Sequence, residues 1–132
     1  MRFYCDFLSK FEPMSIKAMT VFSRQDTSAS EVFFLLKGCV ECVSQKKYYL
    51  EGTIFGETDI VMNRLRNDTY MARGDCYILK LDKQVFHQIM DEFPEFKDDI
   101  DKIVAEREKK RLETLQQAKL KRDVQEEFRE LN

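Results

Sequence analysis

Glu57, Asp59 and Arg66, with Gly56 just ahead of them, are the residues of this 132-residue chain whose types and spacing suit a definite chemistry. Leu50-Glu51-Gly52-Thr53-Ile54-Phe55-Gly56-Glu57 reads as a strand that stops at a glycine and runs into a short helical segment. Gly56 lets the backbone come close to a ligand, and the unpaired N–H groups of a first helical turn attract an anion. Arg66, one short loop later, offers a guanidinium fork to two oxygens of a phosphodiester, and Glu57 can accept a hydrogen bond from a sugar hydroxyl. Asp59 complicates that picture, because a second carboxylate repels a phosphate unless Arg64 or Arg66 neutralises it. The same residues allow a plainer arrangement, in which Arg66 pairs with Asp59 or Asp68 and Glu57 caps a helix.

Other chemistries find few residues to use. His87 is the single histidine, inside the helical pattern Gln84-Val85-Phe86-His87-Gln88-Ile89-Met90, so no His cluster and no Cys/His pair can form. Cys39 and Cys42 are spaced as C-x-x-C, but on a strand residues three apart face opposite ways and cannot chelate one ion. With Cys5 and Cys76 they read as reduced packing thiols of an intracellular protein. Neither a catalytic residue nor a metal site is expected, and the chain does not read as an enzyme. A net charge of −2, from 22 Lys+Arg against 24 Asp+Glu, supplies no basic field for nucleic acid. The longest apolar runs, such as Val32-Phe33-Phe34-Leu35-Leu36, fall far short of the roughly 20 residues that span a bilayer.

The elements that must hold these residues divide by periodicity. Asp6–Phe11 is a short amphipathic segment broken by Pro13. Short strands are then expected at Ser15–Phe22, Val32–Leu36, Cys39–Val43, Lys47–Leu50, Thr69–Ala72 and Tyr77–Leu81, separated by turn-like residues such as Lys37-Gly38 and Arg73-Gly74-Asp75. Strands this short and close suggest a sandwich or rolled barrel. Asp82 is a cap candidate for a helix over Lys83–Glu92, ended by Phe93-Pro94. From Glu95 to the end there is no Gly or Pro, and one long helix, with or without an interruption, is the natural reading. Ile100, Ile103 and Val104 can pack it on the barrel. The later apolar residues Leu112, Leu115, Ala118, Leu120, Val124, Phe128 and Leu131 recur too irregularly for a coiled coil, leaving a partner-docking helix, a homotypic bundle or a frayed end.

Leu50-x-Gly52-x-x-Phe55-Gly56-Glu57, followed by Arg66 nine residues after the glutamate, resembles the phosphate-binding cassette of cyclic nucleotide-binding domains. Such domains occur in cyclic-nucleotide-gated and hyperpolarisation-activated channels, protein kinase A regulatory subunits and bacterial catabolite activators. The resemblance runs over roughly Phe7 to Arg111 and takes in Val32–Cys42 with its Lys37-Gly38 turn, Cys76–Leu81, Phe86 and Phe93-Pro94. It implies an α+β, mainly β fold: an eight-stranded antiparallel β-roll, jelly-roll-like, with a short cassette helix and C-terminal helices, the last one long. It also implies a division into an N-terminal remnant (1–13), a nucleotide-binding domain (14–111, with the roll at 14–82 and helices at 83–111) and a charged helical extension (112–132).

Carried over by residue, the resemblance implies a ligand site of Phe55, Gly56, Glu57, Thr58, Asp59, Arg66, Asn67 and Arg107. Gly56 and Glu57 would supply backbone and ribose contacts, Arg66 the phosphate partner, Asn67 a neighbour of phosphate or purine, and Arg107 a lid group near the base. The implied ligand is cAMP or cGMP, with no cofactor. A long polar helix after the lid resembles channel tails, which implies a regulatory domain on the cytoplasmic side of a membrane, gating an ion channel through its C-terminal helix beside the other subunits of a tetramer. The alternative is a domain that keeps the fold without the ligand and serves as an interaction module.

Overall fold

A computed structural model of the protein describes residues 9–131. Cys5 and the first part of the Asp6–Phe11 segment lie outside them. Eight short strands form two four-stranded antiparallel sheets. One contains β1 (Glu12–Ile16), β8 (Cys76–Asp82), β3 (Glu31–Lys37) and β6 (Ile54–Phe55), in that order; the other contains β2 (Val21–Ser23), β7 (Tyr70–Ala72), β4 (Val40–Cys42) and β5 (Lys47–Tyr49). Between them lies a roll interior of Ile16, Phe33, Leu35, Val40, Cys42, Tyr49, Phe55, Tyr70, Ala72, Cys76 and Ile78.

The continuous apolar run in β3 follows from its position. Phe33 and Leu35 point into the roll, while Val32, on the other face, joins a second core with Ile54, Leu81 and the helices. A strand buried on both faces has no reason to alternate with polar residues. The second core is built by α1 (Glu57–Val61) through Ile60, α2 (Lys83–Glu92) through Phe86, Ile89 and Met90, and α3 (Pro94–Leu131) through Phe96, Ile100 and Val104. The four-residue spacing of Phe96, Ile100 and Val104 keeps them on one helix face. Asp82 caps α2 as expected, accepting a hydrogen bond from the Gln84 N–H at 2.8 Å.

The structure departs from the periodicity reading at several points. Ser15–Phe22 is not one strand: β1 pairs with β8 and β2 with β7, so the chain changes sheets between them, with Met19 at φ 67°. Pro13 lies within β1, opposite Leu79, and β1 is an edge strand, where a missing N–H costs no ladder bond. β6, only two residues long, was too short for a periodic signal, yet it delivers the chain to the cassette. α3 runs without an interruption for 38 residues.

Candidate functional site

The cassette starts at Gly56, which has φ +84° and lies against the Arg66 guanidinium: a Cβ there would come within 3.1 Å of both Arg66 Nη1 and the Phe33 ring. A side chain would therefore meet both backbone strain and a crowded wall. Arg66 itself is buried. Its Nη1 donates to the Gly56 carbonyl at 2.5 Å and its Nη2 to the Glu31 carbonyl, while Phe33 and Tyr70 present their rings to the guanidinium carbon at 5.6 and 5.5 Å. The β2–β3 loop holds its backbone, with Asp26 N donating to Arg66 O and Arg66 N to Thr27 O, each at 2.8 Å.

Both carboxylates of α1 are buried against cations. Asp59 accepts from Arg64 Nε at 2.9 Å and lies 3.6 Å from Arg66 Nη1, so the neutralisation that a phosphate site requires of Arg64 or Arg66 is supplied by both. Asp68 takes no part in it. Its oxygens accept from Cys42 Sγ and from the backbone N–H groups of Ser44, Gln45 and Thr69. Burial alone would raise the Asp68 pKa, but these hydrogen bonds outweigh it and hold the carboxyl below its ordinary value. Burial and the Asp68 carboxylate together push the Cys42 thiol well up, as befits a packing thiol.

Glu57 is wholly buried and half-satisfied. Its Oε1 accepts from Arg107 Nη1 at 2.6 Å and from the Thr58 hydroxyl at 3.2 Å, while its Oε2 has no hydrogen-bond partner. Arg107 reaches down from α3 with its guanidinium carbon 5.1 Å from the Tyr49 ring centre. The next residue, Glu108, receives a bidentate pair from Arg64, at 2.7 and 2.9 Å, and a further bond from Arg111 at 2.8 Å. Those hydrogen bonds, from Arg64 first and Arg111 second, lower the Glu108 pKa to about 2. A chain of alternating charge, Asp59 to Arg64 to Glu108 to Arg111, thus fastens α3 to the cassette.

Between cassette and α3 only about 20 Å³ of space remains, lined by Tyr49, Thr58, Asn67, Arg107 and neighbouring polar residues. Thr58, Asn67 and Arg107 therefore share one small cavity, and Gly56, Glu57, Asp59 and Arg66 form the buried wall beside it. Arg66 lines a different, open cleft of about 320 Å³ on the β2–β3 side, with Phe22, Arg24 and Ser28. Phe55 is in neither place: fully buried in the roll, it stacks on Phe33 and Tyr49 at 5.2 and 5.0 Å. Among the described residues, no group of three His, Cys, Asp or Glu side chains is placed to hold a metal, and no helix is long and apolar enough to cross a membrane.

Residues 13–93 match the family model of the cyclic nucleotide-binding domain. The chain belongs to that family. The match covers the whole roll, the cassette and α2, and the β-roll just described is the architecture the resemblance implied. Three solved structures agree with it in fold. A protein of Geobacter metallireducens assigned as cyclic nucleotide-binding has 16% identity and a TM-score of 0.63, over 74% of this chain and 75% of its own. The global regulator CLP of Xanthomonas campestris, responsive to c-di-GMP, has 16% identity and a TM-score of 0.65, over 82% of this chain and 57% of its own. PfPKA-R with cAMP bound has 20% identity and a TM-score of 0.58, over 74% of this chain and 37% of its own. No curated relative matches the sequence.

Within this cyclic nucleotide-binding domain, the groups that sequence reasoning passed over are Glu108, Arg111, Tyr49 and Lys47. Glu108 and Arg111 sit in the charged run Glu106–Arg111, whose mixed signs do not reveal which members turn inward. Lys47 lies over Tyr49 at 5.2 Å; burial and then the like charge of Arg107 lower its pKa.

Proposed function

We propose that this domain is the cyclic-nucleotide-responsive regulatory part of a larger protein, held shut by its own C-terminal helix until ligand enters. The observation that carries the reading is Glu57 Oε2, a wholly buried carboxylate oxygen without a donor. Leaving such an acceptor bare costs about 1–3 kcal/mol or more. A ribose hydroxyl supplies the missing donor, and Arg66 and the Gly56 backbone stand beside it to receive a cyclic phosphate.

The present closure supports a mechanism in which the helix must move. Small-molecule pockets measure roughly 300–1,000 Å³, so the 20 Å³ between the cassette and α3 admits nothing of nucleotide size. Binding requires the Arg64–Glu108 latch to open, and α3 then moves as one rod because it is a single unbroken helix. The ligand shifts that equilibrium only by its preference for the unlatched state. In this proposal the output is the gating of an ion channel by the helix displacement, the base being adenine or guanine. A second reading is favoured by Arg66, whose guanidinium is already engaged by two carbonyls and lies near Asp59: the protein fills its own anion site and works as an interaction module.

Calorimetric titration of the whole chain with cAMP and with cGMP decides between them. The proposal expects saturable heat with at least one nucleotide, weakened roughly 10- to 100-fold by Arg66→Ala through loss of charge-assisted hydrogen bonds, and weakened by Glu57→Gln. No heat with either nucleotide, or equal heats for all three proteins, leaves the interaction module.

A further inference from the structure

We propose that the cleft between β2 and β3 is a second ligand site, which takes a small sugar phosphate. This rests on the cleft and not on cyclic nucleotide binding: among the described residues none of α3 lines it, and it stands open while the Arg64–Glu108 latch is closed.

Arg66 makes the cleft a site for an anion. Its side chain is only 2% exposed, yet it forms part of the cleft wall. A guanidinium carries five N–H donors. Two are engaged by the Gly56 and Glu31 carbonyls, and the others have no acceptor within hydrogen-bond distance among the described residues. Asp59 approaches to 3.6 Å but is bound more closely by Arg64, at 2.9 Å. Buried donors without acceptors are costly, and an anion in the cleft satisfies them. Arg24, an exposed residue of the same cleft, has no ion pair among the described residues, and the acidic lining residue Glu31 lies 3.5 Å from Lys80. Two guanidiniums suit the three terminal oxygens and nearly double charge of a phosphate monoester, where a cyclic phosphodiester offers two free oxygens and one charge.

The rest of the cleft selects the body of the ligand. Its volume of about 320 Å³ lies at the small end of ligand pockets. Phe22 and Phe33, edge to face at 5.4 Å, give it an apolar surface for the C–H face of a sugar. The hydroxyls of Ser23, Ser28 and Ser30 have no hydrogen-bond partner among the described residues, so they can donate to and accept from the hydroxyls of a ligand. The β2–β3 loop that carries them is already fixed. Gln25 N donates to the Thr69 hydroxyl at 3.0 Å, Asp26 N to Arg66 O and Arg66 N to Thr27 O at 2.8 Å each, and Lys83 N to Ser30 O at 2.9 Å. Little ordering of the loop therefore opposes binding.

The test titrates ribose 5-phosphate, and separately inorganic phosphate, into the whole chain at fixed ionic strength, followed by calorimetry and by amide NMR shifts. Saturable binding of ribose 5-phosphate is expected, tighter than that of inorganic phosphate, with the shifts concentrated at Arg24, Ser28 and Ser30. Arg24→Ala is expected to weaken it roughly ten-fold at an unchanged melting temperature, because the Arg24 side chain is exposed and holds no partner among the described residues. No saturable binding, or binding untouched by Arg24→Ala, overturns the site. Shifts confined to Gly56–Val61 and Asn67 put the ligand in the cassette and overturn it as well. Inorganic phosphate bound as tightly as ribose 5-phosphate overturns the sugar.

Discussion

Arg107→Ala is the substitution for which the structure gives the firmest magnitude. Among the described residues Arg107 is the cation paired with Glu57, whose side chain is 0% exposed, while the arginine side chain is 18% exposed. Removing one partner of a buried pair typically costs about 3–5 kcal/mol, because the other charge is left uncompensated. Partial water access on the Arg107 side reduces this, and loss of the contact with Tyr49 adds about 0.5–1 kcal/mol, so a net loss of about 3 kcal/mol is expected. For a domain of this size that corresponds to a fall of roughly 10 °C in melting temperature. The reasoning puts the loss in the stranded carboxylate and not in the missing arginine, so Glu57→Gln in the Arg107→Ala background should recover most of it. The assay is urea unfolding of wild type, both single variants and the double variant at neutral pH, analysed as a cycle. A loss below about 0.5 kcal/mol for Arg107→Ala, or a double variant no more stable than that single one, refutes the account of the Glu57 environment.

Other outcomes follow from the same geometry. Gly56→Ala combines a positive φ with a Cβ 3.1 Å from Arg66 Nη1, so it should cost about 1–2 kcal/mol in chemical denaturation and weaken any nucleotide binding, whereas Gly74→Ala, with nothing within 4 Å of its Cβ, should cost little. The Glu108 pKa lies near 2 in the folded protein against an ordinary 4.5, so its contribution to stability is full above pH 4.5 and is lost as pH falls from there toward 2. Melting temperatures of Glu108→Gln should therefore fall less steeply than those of wild type across that window, and parallel curves would remove Glu108 from the latch. The Cys42 thiol, buried beside Asp68, should resist alkylation in the folded protein while half-buried Cys39 reacts, as mass spectrometry of time points can follow.

Strands whose pattern answers to burial on one or both faces were legible, as the run Val32–Leu36 and the alternation in Tyr77–Leu81 show. So were the α2 cap at Asp82 and the contacts of Gly56 and Asp59 with Arg66, because each depends on local residue types. What remained hidden depends on tertiary neighbours. No glycine marks the turn at Met19, so the change of sheet between β1 and β2 left no trace in the sequence. Phe55 stands next to Gly56 and reads as part of the ligand wall, yet its ring belongs to an aromatic stack formed by β3, β5 and β6. Arg66 could be expected to face an anion, but the carbonyls it binds come from residues 10 and 35 positions away. The Arg64–Glu108 pair joins residues 44 apart, with no motif to announce it.

The central claim is that α3 occupies the space a nucleotide needs and must unlatch to admit it. Its most direct measurement compares cAMP and cGMP affinity for wild type and Glu108→Ala. A partly exposed bidentate pair is worth about 1 kcal/mol, so opening the latch should tighten binding roughly five-fold while Arg66 and Glu57 stay intact. Unchanged or weaker binding by Glu108→Ala would show that the helix is not the obstacle.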